Sequence, residues 1–193
     1  MSIAGKRIAI LATDGFEQAE LLEPRKALEG RGATTQVISP HEGRIRAWNK
    51  SDWGEEVDVN LTLDSADAND FDALLLPGGV MNPDKLRTIP EAVQFVRKFF
   101  AQKKPVAAIC HGPWMLVEAG AVRGRTVTSW PSLETDIRNA GGTWVDKEVA
   151  VDNGVVTSRR PDDIPAFNEK MIEEIAEGIH TPGARPLSCY RSS

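Results

Sequence analysis

Cysteine is scarce in this chain: Cys110 and Cys189 are the only two among 193 residues. They form no C-x-x-C pair and no disulfide framework, so the expected compartment is a reducing cytoplasm. Histidine is nearly as rare. His41, His111 and His180 lack ligand spacing, and no metal site is expected. With one Tyr, six Phe, a net charge of −5 and no basic stripe, the chain offers nucleic acid neither stacking platforms nor phosphate contacts. No apolar run approaches the ~20 residues of a membrane span, and residues 1–7 lack the apolar core of a signal peptide. A membrane partner is therefore not expected. G-x-G-x-x-G and P-loop motifs are both missing, so no nucleotide is implied and no cofactor is expected.

What is present is an ordinary globular composition, 41% apolar and 26% charged, in a length that suits one domain. Residues 1–180 read as that domain and residues 181–193 as a C-terminal tail with little periodicity. Residues 8–12, 34–39, 73–76 and 105–109 read as strands, the first and third apolar and continuous enough for the centre of a parallel sheet. Between them lie helical stretches, one over residues 16–30 and another carrying Val93, Val96, Phe99 and Phe100 at helical spacing. Residues 45–63 read as a small β excursion. Asn153-Gly154 joins residues 149–151 and 155–157 as a hairpin, and Ile164, Phe167, Met171, Ile175 and Ile179 mark one face of a last helix. Alternating strands and helices give an α/β class with a mostly parallel sheet covered on both sides.

The segment Ala108-Ile109-Cys110-His111-Gly112 carries the chemistry. A nucleophilic side chain between small residues, at a strand-to-helix turn, has the spacing of a nucleophile elbow, with Ala108 in place of the usual first Gly and Cys110 in place of Ser. A thiol at a helix N-terminus is expected to feel the positive end of the dipole, which favours thiolate. His111 is at hand as base or proton carrier. Two further segments sit where strands end, which is where ligands gather on open α/β sheets. After the first strand, Glu17 and Glu20 fall on one face of a helix that begins near Phe16. Spacing alone allows either a paired acid site or two acids on a solvated first turn. After the third strand, Gly78-Gly79 offers N–H groups that, with that of His111, suit an oxyanion hole, though a simple tight turn has the same sequence. Asp84 reads as a helix-start acid, and the five Trp residues as core or interface.

Cys110-His111-Gly112-Pro113, Leu76-Pro77-Gly78-Gly79 and Asp14-Gly15-Phe16-Glu17-Gln18-Ala19-Glu20-Leu21 together resemble the ThiJ/PfpI family. The likeness is greatest to PfpI-type intracellular proteases and general stress proteins, peptidase family C56. It spans about residues 6–179 and includes Asn82-Pro83-Asp84-Lys85-Leu86-Arg87, Thr128-Ser129-Trp130-Pro131-Ser132 and Thr157-Ser158-Arg159. The resemblance implies a flavodoxin-like three-layer sandwich related to class I glutamine amidotransferases. It implies Cys110 as nucleophile, hydrogen-bonded by Glu20 with Glu17 close by, and an oxyanion hole from the amides of Gly79 and His111. It also implies that Asp84 of a neighbouring subunit orients His111, in a homo-oligomer that is a dimer or a hexamer. Trp130 stands where PfpI-type proteases often carry a tyrosine, so a hydroxyl contact to substrate is missing.

The expected function is therefore a cytoplasmic cysteine hydrolase, acting on a peptide or on a glyoxal-derived adduct of protein or nucleotide. The same groups serve a cofactor-free aldehyde reaction, with Glu20 as acid and base. The other reading is a redox-responsive stress protein or holdase chaperone, in which Cys110 oxidises readily and turnover is slight. For Cys110 and Glu20 the expectation is one shared proton at neutral pH, held mainly by the carboxyl, and a thiol that ionises below the free-cysteine value of about 8.5.

Overall fold

The computed structural model describes residues 2–179; Cys189, His180 and the expected tail lie outside that range. The chain opens with β1 (Arg7–Leu11), a short β2 (Phe16–Glu17), α1 (Gln18–Glu29) and β3 (Thr34–Ser39). The β excursion expected at residues 45–63 resolves into the β4 (Arg44–Asn49) and β5 (Asp52–Asp58) hairpin and β6 (Leu61–Thr62). Next come β7 (Ala73–Leu76), α2 (Met81–Leu86), α3 (Pro90–Ala101), β8 (Val106–Ile109) and α4 (Trp114–Glu118). The remainder is β9 (Thr126–Val127), α5 (Glu134–Asn139), β10 (Thr143–Trp144), β11 (Val149–Asp152), β12 (Val155–Ser158) and α6 (Ile164–Glu177).

Seven strands form the central sheet in the order β11-β12-β8-β7-β1-β3-β6. Every pairing in it is parallel except the β11–β12 hairpin. That hairpin turns at Asn153 (φ 47°) and Gly154 (φ 79°), two consecutive left-handed residues as a type I′ turn needs. Alternate residues of the buried strands feed two separate cores, as a period of two dictates. Ile8, Ile10, Leu75, Ala107 and Ile109 pack with Leu21 and Leu28 of α1 and Phe167, Met171 and Ile175 of α6. Ala9, Leu11, Leu74, Leu76, Val106 and Ala108 face the other way, toward Val93, Val96 and Phe99 of α3, Met115 of α4 and Ile137 of α5. The result is the expected three-layer sandwich. Among the described residues no helix is long and apolar enough to cross a membrane.

Two features of this layout position the site. β1 has β3 on one side and β7 on the other, so the chain reverses its direction of travel across the sheet at β1, and a crevice opens at the carboxyl ends of β1, β7 and β8. And α1 starts at Gln18, two residues later than its apolar pattern suggests. Phe16 and Glu17 are instead extended, pairing in parallel with Ala47 and Trp48 of the hairpin. Tertiary pairing overrides the local helical pattern there, and it brings the hairpin beside the crevice.

Candidate active site

Cys110 follows the last residue of β8 with φ +61°, a left-handed conformation that a side chain rarely adopts. Three hydrogen bonds hold it there. Its N–H donates to Ser158 of β12 (3.0 Å), its carbonyl accepts the N–H of Trp130 (2.8 Å), and the Gly112 N–H turns back to Ile109 (2.8 Å). The sharp turn lifts the sulfur off the strand axis and sets Sγ 3.3 Å from Nδ1 of His111. Both residues are only 7% exposed. The elbow expected from the sequence is formed, and the strain at Cys110 is of the kind that accompanies function.

Glu20, in the first turn of α1, is fully buried. Its Oε2 accepts the N–H of Gly78 at 2.8 Å, while Oε1 is buried without a hydrogen-bond partner. The carboxyl lies against the Cys110 thiol. This rules out the solvated-face alternative for Glu20 that spacing alone allowed. The double glycine is dictated by this contact. A Cβ on Gly78 would press on Glu20 Oε2 and stand 2.8 Å from both Cys110 Cβ and the Ile109 carbonyl. Gly79 is left-handed (φ +76°), and a Cβ there would collide with the backbone of Gly15 and Glu17. Asn82, which sequence reasoning passed over, fixes this loop: its amide donates to the carbonyls of Pro77 (3.0 Å) and Gly78 (3.1 Å), and its Oδ1 accepts the Thr13 N–H at 2.8 Å. Its place directly after the double glycine was the available signal.

The N–H groups of Gly79 and His111 lie toward the sulfur, where they pull its pKa down, and the Gly79 N–H also bears on the Glu20 carboxyl. Burial opposes them and wins, and the neighbouring Glu20 charge adds to it, so the thiol is pushed well above its ordinary value. The expected low-pKa thiol is thus corrected. The helix meant to lower it, α4, has five residues and begins only at Trp114, too short and too far for its dipole to offset desolvation. Burial also raises Glu20 to about 8 and lowers His111 to about 4. Burial thus favours the neutral form of each of the three groups, the thiol included, contrary to the expected readily ionised cysteine. Glu17, at the junction of β2 and α1, is partly buried, and its carboxyl is raised by the same cause.

Two tryptophans wall His111: Trp114 meets its ring edge-on at 5.2 Å, and Trp130 stacks at 5.9 Å with 23° between planes. The family resemblance pointed to Trp130 near the site, but the walling of His111 by both rings was not read from the sequence. Asp84 is not part of this cluster. It is exposed on α2, and no carboxylate among the described residues bonds His111. Among those residues no group of His, Cys, Asp and Glu is arranged to hold a metal.

The model of the DJ-1/PfpI family matches residues 6–174. General stress protein 18 of Bacillus subtilis is 45% identical over 169 residues, covering 87% of this chain and 96% of that protein. A protein named deglycase PfpI, from Pyrococcus furiosus, is 39% identical over 167 residues, 86% of this chain and 98% of its own. Among solved structures, a two-domain protein of Anabaena variabilis with DJ-1/ThiJ/PfpI-like and ferritin-like domains superimposes with a TM-score of 0.83 at 32% identity, over 97% of this chain and 52% of that one. With an elbow cysteine, a buried glutamate and a double-glycine loop gathered at one crevice, the chain belongs to the DJ-1/PfpI family.

Proposed function

We propose that this protein is a cysteine hydrolase whose substrate is a peptide bond or a glyoxal-derived adduct on a protein. The observation that carries the reading is the 3.3 Å approach of Cys110 Sγ to His111 Nδ1 beside two backbone N–H groups, those of Gly79 and His111, that face the sulfur. In the reaction the thiol proton passes to His111 Nδ1 as the sulfur attacks the carbonyl carbon. The carbonyl oxygen takes up negative charge facing the Gly79 and His111 amides, and the imidazolium returns its proton to the leaving group. Water then releases the acyl group and restores the thiol. Glu20, neutral at rest, keeps a second negative charge away from the sulfur. The names of relatives support both substrate classes: a putative cysteine protease of Bacillus subtilis is 41% identical and the deglycase 39% identical, each over 167 residues.

We further propose that the site is completed in a homo-oligomer, with Asp84 of one subunit orienting His111 of another. The support is that His111 has no carboxylate partner among the described residues while Asp84 is exposed near by in sequence to the Gly78-Gly79 loop. A redox role has one observation in its favour. A neutral Glu20 beside the sulfur, with Oε1 unpartnered, suits a hydrogen bond to an oxidised sulfur. The deciding experiment assays purified protein against methylglyoxal and a fluorogenic peptide, with Cys110→Ala alongside. Turnover of at least one substrate that vanishes in Cys110→Ala is the expected result; no Cys110-dependent turnover of either overturns the hydrolase.

A further inference from the structure

Arg160 lies just past the carboxyl end of β12, two residues beyond the Ser158 carbonyl that anchors Cys110. Its guanidinium carbon stands 5.9 Å from the Trp130 indole centre, and the other neighbour of that indole is the His111 ring, also at 5.9 Å. The contrast with the adjacent arginine is sharp. Arg159 is pinned by Asp163 (2.9 and 3.0 Å) and Asp146 (2.8 Å). The Arg160 guanidinium, by comparison, has only the indole: no hydrogen bond or ion pair from the described residues engages it, and its Nε is buried without a partner. Asp163, the nearest buried acid in sequence, is committed to Arg159. The Nε–H has lost water without gaining an acceptor, a cost that an external acceptor reaching the guanidinium would offset. Trp130 itself is 38% exposed, so the pair faces the approach to the site rather than the core.

We infer that Arg160, seated on Trp130, is a specificity-determining subsite for a carboxylate on a peptide substrate. The inference rests on the proposed hydrolase reading and names its substrate class: peptides or glycated segments bearing an acidic side chain near the reacting group. Two successive separations of 5.9 Å carry the charge away from His111. An extended chain advances about 3.3–3.6 Å per residue. A carboxylate on a side chain up to about four residues from the reacting centre is therefore within reach of Arg160. A guanidinium fork matches a carboxylate in two parallel hydrogen bonds, and Trp130 holds its plane so that little side-chain freedom is lost on binding.

The test measures binding, so its outcome does not depend on turnover. In the Cys110→Ala protein, fluorescence anisotropy follows a labelled hexapeptide carrying one Asp, moved through each position, beside its Asn counterpart. At one or more positions Asp is expected to bind about tenfold more tightly than Asn, the size of a charge-assisted hydrogen-bond pair. Adding Arg160→Gln is expected to bring that ratio below twofold, and Arg160→Lys, which keeps the charge, to leave it above twofold. Equal affinity for Asp and Asn at every position, no binding of any peptide, or a preference that survives Arg160→Gln overturns the subsite. Loss of the preference in the Lys as well as the Gln variant assigns the effect to packing on Trp130 and overturns the charge recognition. If the subsite stands while the wild-type protein turns nothing over, it is the hydrolase reading that falls.

Discussion

At the residue scale, burial moves Glu20, Cys110 and His111 each toward its neutral form, and this sets how the site responds to pH. Glu20 and the thiol oppose each other's ionisation, since like charges in one buried site disfavour one another. Replacing the carboxyl with an amide removes that repulsion and keeps the shape. In a Cys189→Ala background, the rate of Cys110 alkylation by iodoacetamide is expected to rise with a midpoint above the free-cysteine value of about 8.5. In Glu20→Gln the midpoint is expected to drop by about one unit or more. An unmoved midpoint would show that the two groups do not share the charge of the site. Stability gives an independent check. An unfolded Glu20 loses its proton above about pH 4.5, the folded one only near 8. Between those values the native state binds more protons than the unfolded state, so stability falls as pH rises. His111, lowered to about 4, works in the opposite direction between about pH 4 and 6.5. The difference between wild type and Glu20→Gln isolates the first effect. The wild-type Tm is expected to decline relative to that of the variant from pH 5 to pH 8, and parallel curves would contradict the burial of Glu20 as a neutral acid.

At the element scale, the site depends on two backbone constraints, the left-handed turn at Cys110 and the close approach at Gly78. Cys110 keeps its Cβ in a left-handed conformation, at a cost of roughly 1–2 kcal/mol. Cys110→Gly is therefore expected to be about 1 kcal/mol more stable than Cys110→Ala in urea unfolding, since both lack the sulfur and only one retains the strain. Equal stability would mean the elbow is relaxed. Gly78→Ala works in the other direction. The new methyl would meet Glu20 Oε2, Cys110 Cβ and the Ile109 carbonyl together, and the carbonyl belongs to a central strand that has nowhere to move. A loss of about 1–3 kcal/mol is expected, with Cys110-dependent turnover falling at least tenfold as the Glu20 carboxyl is displaced. What was legible in the sequence follows the same division between local and distant causes. β3 and β7 could be read to the residue because their apolar runs are buried and bounded by turns, and the elbow because its residues are contiguous. The two-residue strands β9 and β10, at Thr126–Val127 and Thr143–Trp144, carry no periodic signal. The start of α1 was misread because the pairing of Phe16–Glu17 with Ala47–Trp48 is decided thirty residues away. The same reason hides Arg160, whose place beside the site exists only once β12 lies beside β8.

At the scale of the whole molecule, the question is what makes His111 an effective base. Alone in its chain, the ring is sandwiched by Trp114 and Trp130 and held near 4 by burial, a poor acceptor for a thiol proton at neutral pH. A carboxylate on its second nitrogen would raise its basicity and fix the tautomer that leaves Nδ1 free to face Sγ. No described residue of the same chain supplies one. Asp84 sits exposed on α2, the helix that directly follows the oxyanion loop, and the start of that helix carries Val80, 55% exposed and apolar. An apolar residue and an unengaged acid on one short helix beside an incomplete site are what a subunit contact would cover. If the contact is symmetric, each site takes Cys110 from one subunit and Asp84 from the next. Cys110→Ala and Asp84→Ala proteins are then each expected to be inactive alone. After equimolar mixing with verified subunit exchange, about a quarter of wild-type activity is expected to return. A site regains both groups only when its own chain keeps Cys110 and its neighbour keeps Asp84, each with even odds, and this fraction is the same for a dimer and for a larger ring. Recovery is expected to bring back a pH profile whose acidic limb lies well above 4, because the paired His111 titrates nearer its ordinary value. No recovery despite exchange, or full activity in a monodisperse monomer, would put Asp84 outside the mechanism and leave the basicity of His111 to be supplied from within its own chain.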